Sequence, residues 1–257
     1  MSSPTTRFLW QRFAPVATIL LCFVAWQVAV EALHVRAVIL PSPVQIWRAL
    51  QESPGYFLHE SLYTLATTLL GFSIAAVVGV LLAIIIVEVP LLDSTVYALI
   101  IALNSIPKVA VAPLFVIWLG TGSAPKIAIA FLIACFAVVI DTVLGLKSVP
   151  KEMLELAHTM RGGKLDVFWR IRLPCALPSM FAGLKVGISL ALVGTIVGEF
   201  VASDHGLGYI ILTAQGTFET PQIFAANLIL ALMGTILFGI VTLVERRLIP
   251  WHASHHA

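Results

Sequence analysis

The residues able to do chemistry sit at a few places in an otherwise apolar chain. Asn104, Ser105 and Lys108 flank Pro107, Asp141 and Thr142 interrupt a second apolar stretch, and Thr195 and Glu199 lie late in a third. Polar groups inside membrane-length apolar runs are expensive and by default mark a solute or ion path. Lys108 suits attraction of an anion; it suits equally a structural pair with Asp141, or snorkelling to the interface. Pro107 breaks a helix where neighbouring groups or cavity water satisfy the freed carbonyl, which makes it a gate candidate. None of this is catalytic chemistry. The chain has neither a paired His-Glu metal motif nor a Ser nucleophile elbow. It also lacks a Gly-x-x-x-x-Gly-Lys-Ser/Thr loop: Gly162-Gly163-Lys164-Leu165 has neither the first glycine spacing nor the hydroxyl after Lys. No catalytic, cofactor-binding or metal-binding residue is expected, and any energy for transport must come from a partner. Cys22, Cys135 and Cys175 are too scattered for a disulfide framework or a metal cluster. The histidines of the tail, His252, His255 and His256, read as a solvated terminus.

The elements that must position these groups follow from composition. Sixty per cent of the 257 residues are hydrophobic and 11% are charged, against about 45–50% and about 25% in an average soluble chain. Mean hydropathy is +1.01. The expectation is an all-α, polytopic membrane protein, since backbone polar groups in lipid must be satisfied within a helix or a closed barrel. The alternating ten-residue pattern of a barrel is absent. A bilayer-crossing helix needs about 20 apolar residues, and six segments qualify: 14–33, 62–87, 94–119, 126–146, 175–199 and 221–244. The domain plan is a terminus at 1–13, one transmembrane domain over 14–249 and a tail at 250–257. No small-residue cleavage site follows the first apolar run, so it is read as a retained span. The net charge of +2 comes without a groove-sized basic patch, so no nucleic-acid partner is expected.

Charge placement sets the orientation. Residues 147–172 hold nine of the 28 charged side chains, six of them basic. With six spans this loop shares a side with both termini. That side carries ten basic residues, counting Arg7, Arg12, Arg246 and Arg247, against Arg36, Arg48 and Lys126 on the other. The positive-inside rule makes the termini and the loop cytoplasmic.

The 28-residue loop 147–174 reads as two short helices with a break. Ser148 and Pro150 supply a cap-like residue and an N-terminal proline. Met153, Leu156, Ala157 and Met160 recur at i, i+3, i+4 and i+7, one face of an amphipathic helix. Gly162-Gly163 ends it by easing a sharp reversal. A second helix carries Leu165, Phe168 and Trp169 on one face, places Asp166 to pair with Arg170, and stops at Pro174. The apolar stripe of Met153 to Met160 suits either the bilayer surface or a groove on a cytoplasmic partner. On the outer side, Pro41 to Leu50 is a short interfacial helix or a packed connector, and Asp204 to Tyr209 is a tight re-entry or a surface turn.

Glu155-Leu156-Ala157 followed by Ile171-Arg172-Leu173-Pro174, 19 residues from Glu155 to Pro174, resembles the EAA signature of binding-protein-dependent ABC transporter permeases. Leu156 replaces the first alanine of that signature, and its glycine position falls on Arg161, just before Gly162 and Gly163. Leu40-Pro41-Ser42-Pro43, Ile106-Pro107-Lys108, Ala112-Pro113-Leu114, Trp118-Leu119-Gly120, Gly198-Glu199-Phe200 and Gly206-Leu207-Gly208-Tyr209 are similar to the nitrate/sulfonate/taurine branch. The resemblance implies a type I importer fold in the inner membrane. It also implies a permease homodimer, two cytoplasmic ATPase subunits that bind ATP and Mg, and a periplasmic or lipid-anchored binding protein. It assigns Met153, Glu155, Leu156, Ala157, Met160, Arg161, Gly162 and Gly163 to ATPase coupling. Asn104, Pro107, Lys108, Asp141, Thr195 and Glu199 are pathway candidates, and Gly206, Gly208 and Tyr209 would lie at the periplasmic mouth. The expected activity is ATP-driven import of a small anionic solute by alternating access. The rival is a secondary transporter or channel with no ATPase, which would ordinarily show more spans or an inverted repeat.

Overall fold

The structure is a computed structural model, and it describes residues 4–89, 102, 106–160 and 163–251. Every regular element among the described residues is helical. In chain order these are α1 (Pro4–Ala32), α2 (Pro43–Glu52), α3 (Pro54–Glu88), a 3₁₀ turn (Lys108–Val111), α4 (Ala112–Leu119), α5 (Ser123–Lys147) and α6 (Lys151–Thr159). There follow α7 (Lys164–Val167), a π turn (Phe168–Arg172), α8 (Leu173–Ala202), α9 (Leu207–Gly216) and α10 (Thr220–Leu248).

Among the described residues, four helical runs are long and apolar enough to cross a membrane: Pro54–Glu88, Ser123–Lys147, Lys164–Ala202 and Thr220–Leu248. They coincide with the second, fourth, fifth and sixth expected spans. The first span corresponds to α1, whose apolar part is Ala17–Ala32, and the end of the third to the apolar stretch Lys108–Leu119. The start of that third span, with Asn104 and Ser105, lies outside the described residues. At 1.5 Å per residue the 35 residues of α3 reach about 52 Å, well beyond a hydrocarbon core of about 30 Å, so its first turns extend past the lipid.

Two compact units are present. The first comprises 1–59 with 210–229, and the second 60–209 with 230–257. In the first unit, Ser42 caps α2 through a reciprocal capping box with Gln45, with Pro43 at the first helical position. The backbone N–H of Val44 donates to Gln27 Oε1 of α1 at 3.3 Å, and Thr220 Oγ1 donates to the Val38 carbonyl at 2.8 Å. The expected short helix at Pro41 to Leu50 is therefore α2, shifted by two residues.

In the second unit α5 packs along α8 through small residues. Gly187 faces Val138, Gly194 faces Ala130, and Gly145 faces Ala176, each with less than ordinary van der Waals room for a Cβ. Ala75, Ala83, Ala130, Ala134, Val139, Val143 and Ala191 form the core between them and α3. Close backbone approach through small side chains is how membrane helices gain packing where lipid offers no hydrophobic driving force. Lys185 of α8 pairs with the buried Glu245 of α10 at 2.9 Å.

Two expectations about the loop are corrected. Pro174 does not stop a helix; the run continues from Lys164 to Ala202. The preceding turn is widened to π geometry, and the Leu173 N–H reaches the Phe168 carbonyl. That widening relieves the clash of the Pro174 ring with the carbonyl four residues back. Ser148 closes α5 instead of capping α6, because its Oγ donates to the Gly145 carbonyl at 2.7 Å. The carbonyl of Pro150 accepts from Met153 and Leu154 at 3.1 and 3.3 Å and so opens α6.

Candidate functional site

Two groups of residues in the second unit carry functional character. One is the surface of α6, α7 and the π turn. Met153, Leu156, Met160, Leu165 and Trp169 are all exposed, with Leu156 at 61% and Met160 at 76%. Met153, Leu156, Met160, Asp166, Val167 and Ile171 line an open cleft of about 360 Å³. The i, i+4 pair expected between Asp166 and Arg170 is present at 3.6 Å, on the outside of this surface. Glu155 is exposed on α6 and its carbonyl accepts from Thr159 Oγ1. Ala157 is half-buried beneath the stripe. Arg161 and Gly162 lie outside the described residues. Gly163 has φ −65° and ψ 152°, extended backbone open to any residue, so its role is to lead into α7 and not to make a left-handed reversal.

The second group is a buried polar cluster formed by α3, α5, α8 and the turn before α9. Glu199 is fully buried. Its carboxylate accepts from Thr64 Oγ1 at 2.8 Å and from the Gly208 N–H at 2.7 Å. Thr64 Oγ1 in turn accepts from the Leu207 N–H at 2.9 Å, and the buried Glu60 accepts from the Gly206 N–H. Two carboxylates and one hydroxyl thus take up three consecutive amides at the start of α9, groups that a helix N-terminus cannot satisfy internally. Gly206 has φ +105°, and a Cβ there would run into the Glu199 carboxylate; at Gly208 a Cβ would stand 2.8 Å from Glu199 Cβ. Both positions require glycine. Thr195 Oγ1 meets Thr68 Oγ1 at 3.0 Å one helical turn deeper. Lys126, fully buried, packs its Cα against Gly198 and donates from Nζ to Tyr63 Oη at 3.0 Å. His205 lies 3.5 Å from Glu60 and against the Tyr63 ring.

The structure therefore brings Thr195, Glu199, Gly206 and Gly208 together, although Gly206 and Gly208 are buried and act from inside the turn. Tyr209 is half-buried on α9. Pro107 and Lys108 belong elsewhere. Pro107 is exposed and its carbonyl accepts from Ala110, while Lys108 places Nζ 4.7 Å from the Phe136 ring centroid. Asp141 packs its Cβ into the space beside Gly183. Sequence reasoning missed Glu60, Tyr63, Thr64, Thr68 and Lys126. A signal for the first four existed: they recur at i, i+3, i+4 and i+8 at the head of an apolar span, a polar stripe on one helical face. Lys126 reads from sequence as an outer-side charge at the head of the span 126–146, and its burial follows from α5 starting earlier, at Ser123.

Residues 57–250 match the family of binding-protein-dependent transport system inner membrane components. The chain belongs to that family. Among its relatives is the riboflavin transport system permease protein RibX of Chloroflexus aurantiacus, 36% identical over 96% of this chain and 93% of the relative. The formylaminopyrimidine transport permease protein ThiX of Halalkalibacterium halodurans is 33% identical over 94% of this chain and 97% of its own. The aliphatic sulfonates transport permease protein SsuC of Bacillus subtilis is 30% identical over 97% and 90%. In fold this permease is similar to a chain of the inward-facing MetNI methionine ABC transporter, with TM-score 0.55 and 18% identity, covering 77% of this chain and 97% of that one. The all-α expectation and the type I importer permease fold hold. The permease is a multi-pass membrane protein and a transport subunit.

Proposed function

We propose that this permease works as a homodimer with two cytoplasmic ATPase subunits, and passes a small anionic solute from an external binding protein to the cytoplasm by alternating access. In this reading both termini are cytoplasmic, and ATP and Mg are bound by the ATPase partner. The observation that carries the reading is the uncovered apolar stripe of Met153, Leu156 and Met160 beside a cleft bounded by α6, α7 and the π turn. An amphipathic helix with its apolar face outward fits a groove on a partner. The π turn gives that partner purchase on a span, because α7 runs without interruption into α8, so a push on the loop is delivered to a 39-residue rod. The polar cluster at the far end of α8 ties the same rod to α3 and α5.

Lys108, half-buried at the head of a helix with its ammonium over the Phe136 ring, supports an anionic solute, since its charge adds to the positive end of the helix dipole. The names of the relatives span riboflavin, formylaminopyrimidine and sulfonates. We take selection among such solutes to reside in the binding protein. The test is uptake and solute-stimulated ATP hydrolysis by the complex in proteoliposomes. Glu155→Lys, or deletion of residues 153–163, abolishes both while the permease stays folded. Survival of stimulated hydrolysis and uptake in both variants would refute the coupling assignment and favour a transporter that runs without an ATPase.

A further inference from the structure

The coupling surface is joined to α3 as well as to α8. Arg172, the last residue of the π turn, donates from Nη1 to Oε1 of Glu88 at 2.9 Å, and Glu88 is the last residue of α3. The two lie 84 residues apart in the chain. Arg170, two residues earlier on the same turn, is engaged with Asp166 instead. In the same region Leu146, Ala176 and Met180 form a buried cluster, and Ile84 and Val87 of α3 and Phe168 of the π turn all pack against it.

The cluster and the ion pair do different things. Apolar burial is non-directional, so the cluster holds α3 near the π turn without fixing how far one slides along the other. A charge-assisted bond has a length and a direction, and it sets that register. It does so at little gain in stability, since the side chains are 27% and 40% exposed and ion pairs open to solvent are worth little. At their other ends the same two helices meet again, through Thr64 with Glu199 and Thr68 with Thr195. Along α3 about 36 Å separates Thr64 from Glu88, and about 40 Å separates Arg172 from Glu199 along the π turn and α8. Antiparallel runs of nearly equal length are thus fastened at both ends.

We infer that Arg172 and Glu88 are positioning residues for coupling, which make α3 move together with α8 when a partner pushes on the loop. This rests on the loop being the ATPase docking surface. The test uses the full complex of permease and ATPase, with a nitroxide label either at Cys175 of α8 or at Ile85→Cys of α3, both exposed positions, and the other native cysteines changed to alanine. Double electron–electron resonance reads the distance from each label to its copy in the second protomer, before and after trapping with ATP and vanadate. Without further substitution both distances shift on trapping. In Arg172→Ala and in Glu88→Ala the Cys175 shift is kept and the Ile85→Cys shift loses at least half its size, while Arg172→Glu combined with Glu88→Arg restores it. All of these variants melt with the unsubstituted protein. Full Ile85→Cys shifts in both alanine variants overturn the inference. Loss of both shifts in an alanine variant also overturns it, because the pair then holds the loop itself, and so does a fall in melting temperature that parallels the lost shift, because the pair is then a brace of the fold. Absence of both shifts before any substitution at Arg172 or Glu88 overturns the ATPase reading beneath it, and is thereby told apart from failure of the clamp alone.

Discussion

Thr64→Val is the sharpest probe of the buried polar cluster. Valine matches threonine in shape but removes the hydroxyl, which donates to Glu199 at 2.8 Å and accepts from the Leu207 N–H at 2.9 Å. After the change Glu199 keeps the Gly208 amide but loses one of two donors, and the Leu207 N–H loses its acceptor at the first turn of α9. Thr64, Glu199 and Leu207 are each fully buried, so water cannot substitute. Each orphaned group costs about 1–3 kcal/mol in a protein interior, while hydrogen bonds between membrane helices average nearer 0.6 kcal/mol with a maximum near 1.7. Losing two coupled bonds to a carboxylate and a helix N-terminus then costs about 2–3 kcal/mol. For a chain of this size that lowers Tm by about 5–10 °C, measured by thermal unfolding of the detergent-solubilised permease. Thr64→Ser keeps the hydroxyl and loses only a buried methyl, about 0.8 kcal/mol, so it melts above Thr64→Val. If Thr64→Val melts with the wild type, or if serine and valine destabilise equally, the hydroxyl relay does not hold the turn.

Two further outcomes follow from the same structure. Gly206→Ala forces a side chain onto φ +105° and into the Glu199 carboxylate, and costs more than the about 1–3 kcal/mol of backbone strain alone; Gly163→Ala, at φ −65° with its nearest neighbour 3.5 Å away, changes stability by less than about 0.5 kcal/mol. The paired melts check both, and a harmless Gly206→Ala would refute the clasp. Lys185→Met strands the buried Glu245 and costs about 2 kcal/mol, below the full value for a buried pair because Lys185 is a quarter exposed. Adding Glu245→Gln recovers at least half of that loss in a double-mutant cycle.

Legibility differed from element to element. The long spans were readable because a bilayer imposes length and apolarity directly on sequence, and α3, α5, α8 and α10 occupy the expected runs. The amphipathic loop helix was readable because 3.6-residue periodicity is local. Pro174 misled, since a proline ends a helix only when the preceding turn cannot widen, and the π turn at Phe168–Arg172 widens it. Ser148 misled because a hydroxyl between two helices can serve either end, and here the Gly145 carbonyl is the nearer partner. Glu199 stood out as an acid late in a span. Its partners did not, since Glu60, Tyr63 and Lys126 lie near helix ends, where polar residues are ordinarily solvated.

The sequence by itself determined the solvent, the helical class, the family and the exposed loop stripe. Each of these rests on composition, on periodicity within one helix, or on short motifs. Only the tertiary structure decided which polar residues work together. Thr64, Lys126, Glu199 and Gly206 come from four separate stretches of chain, and their meeting depends on helix register and on close packing through glycines, which no local pattern encodes.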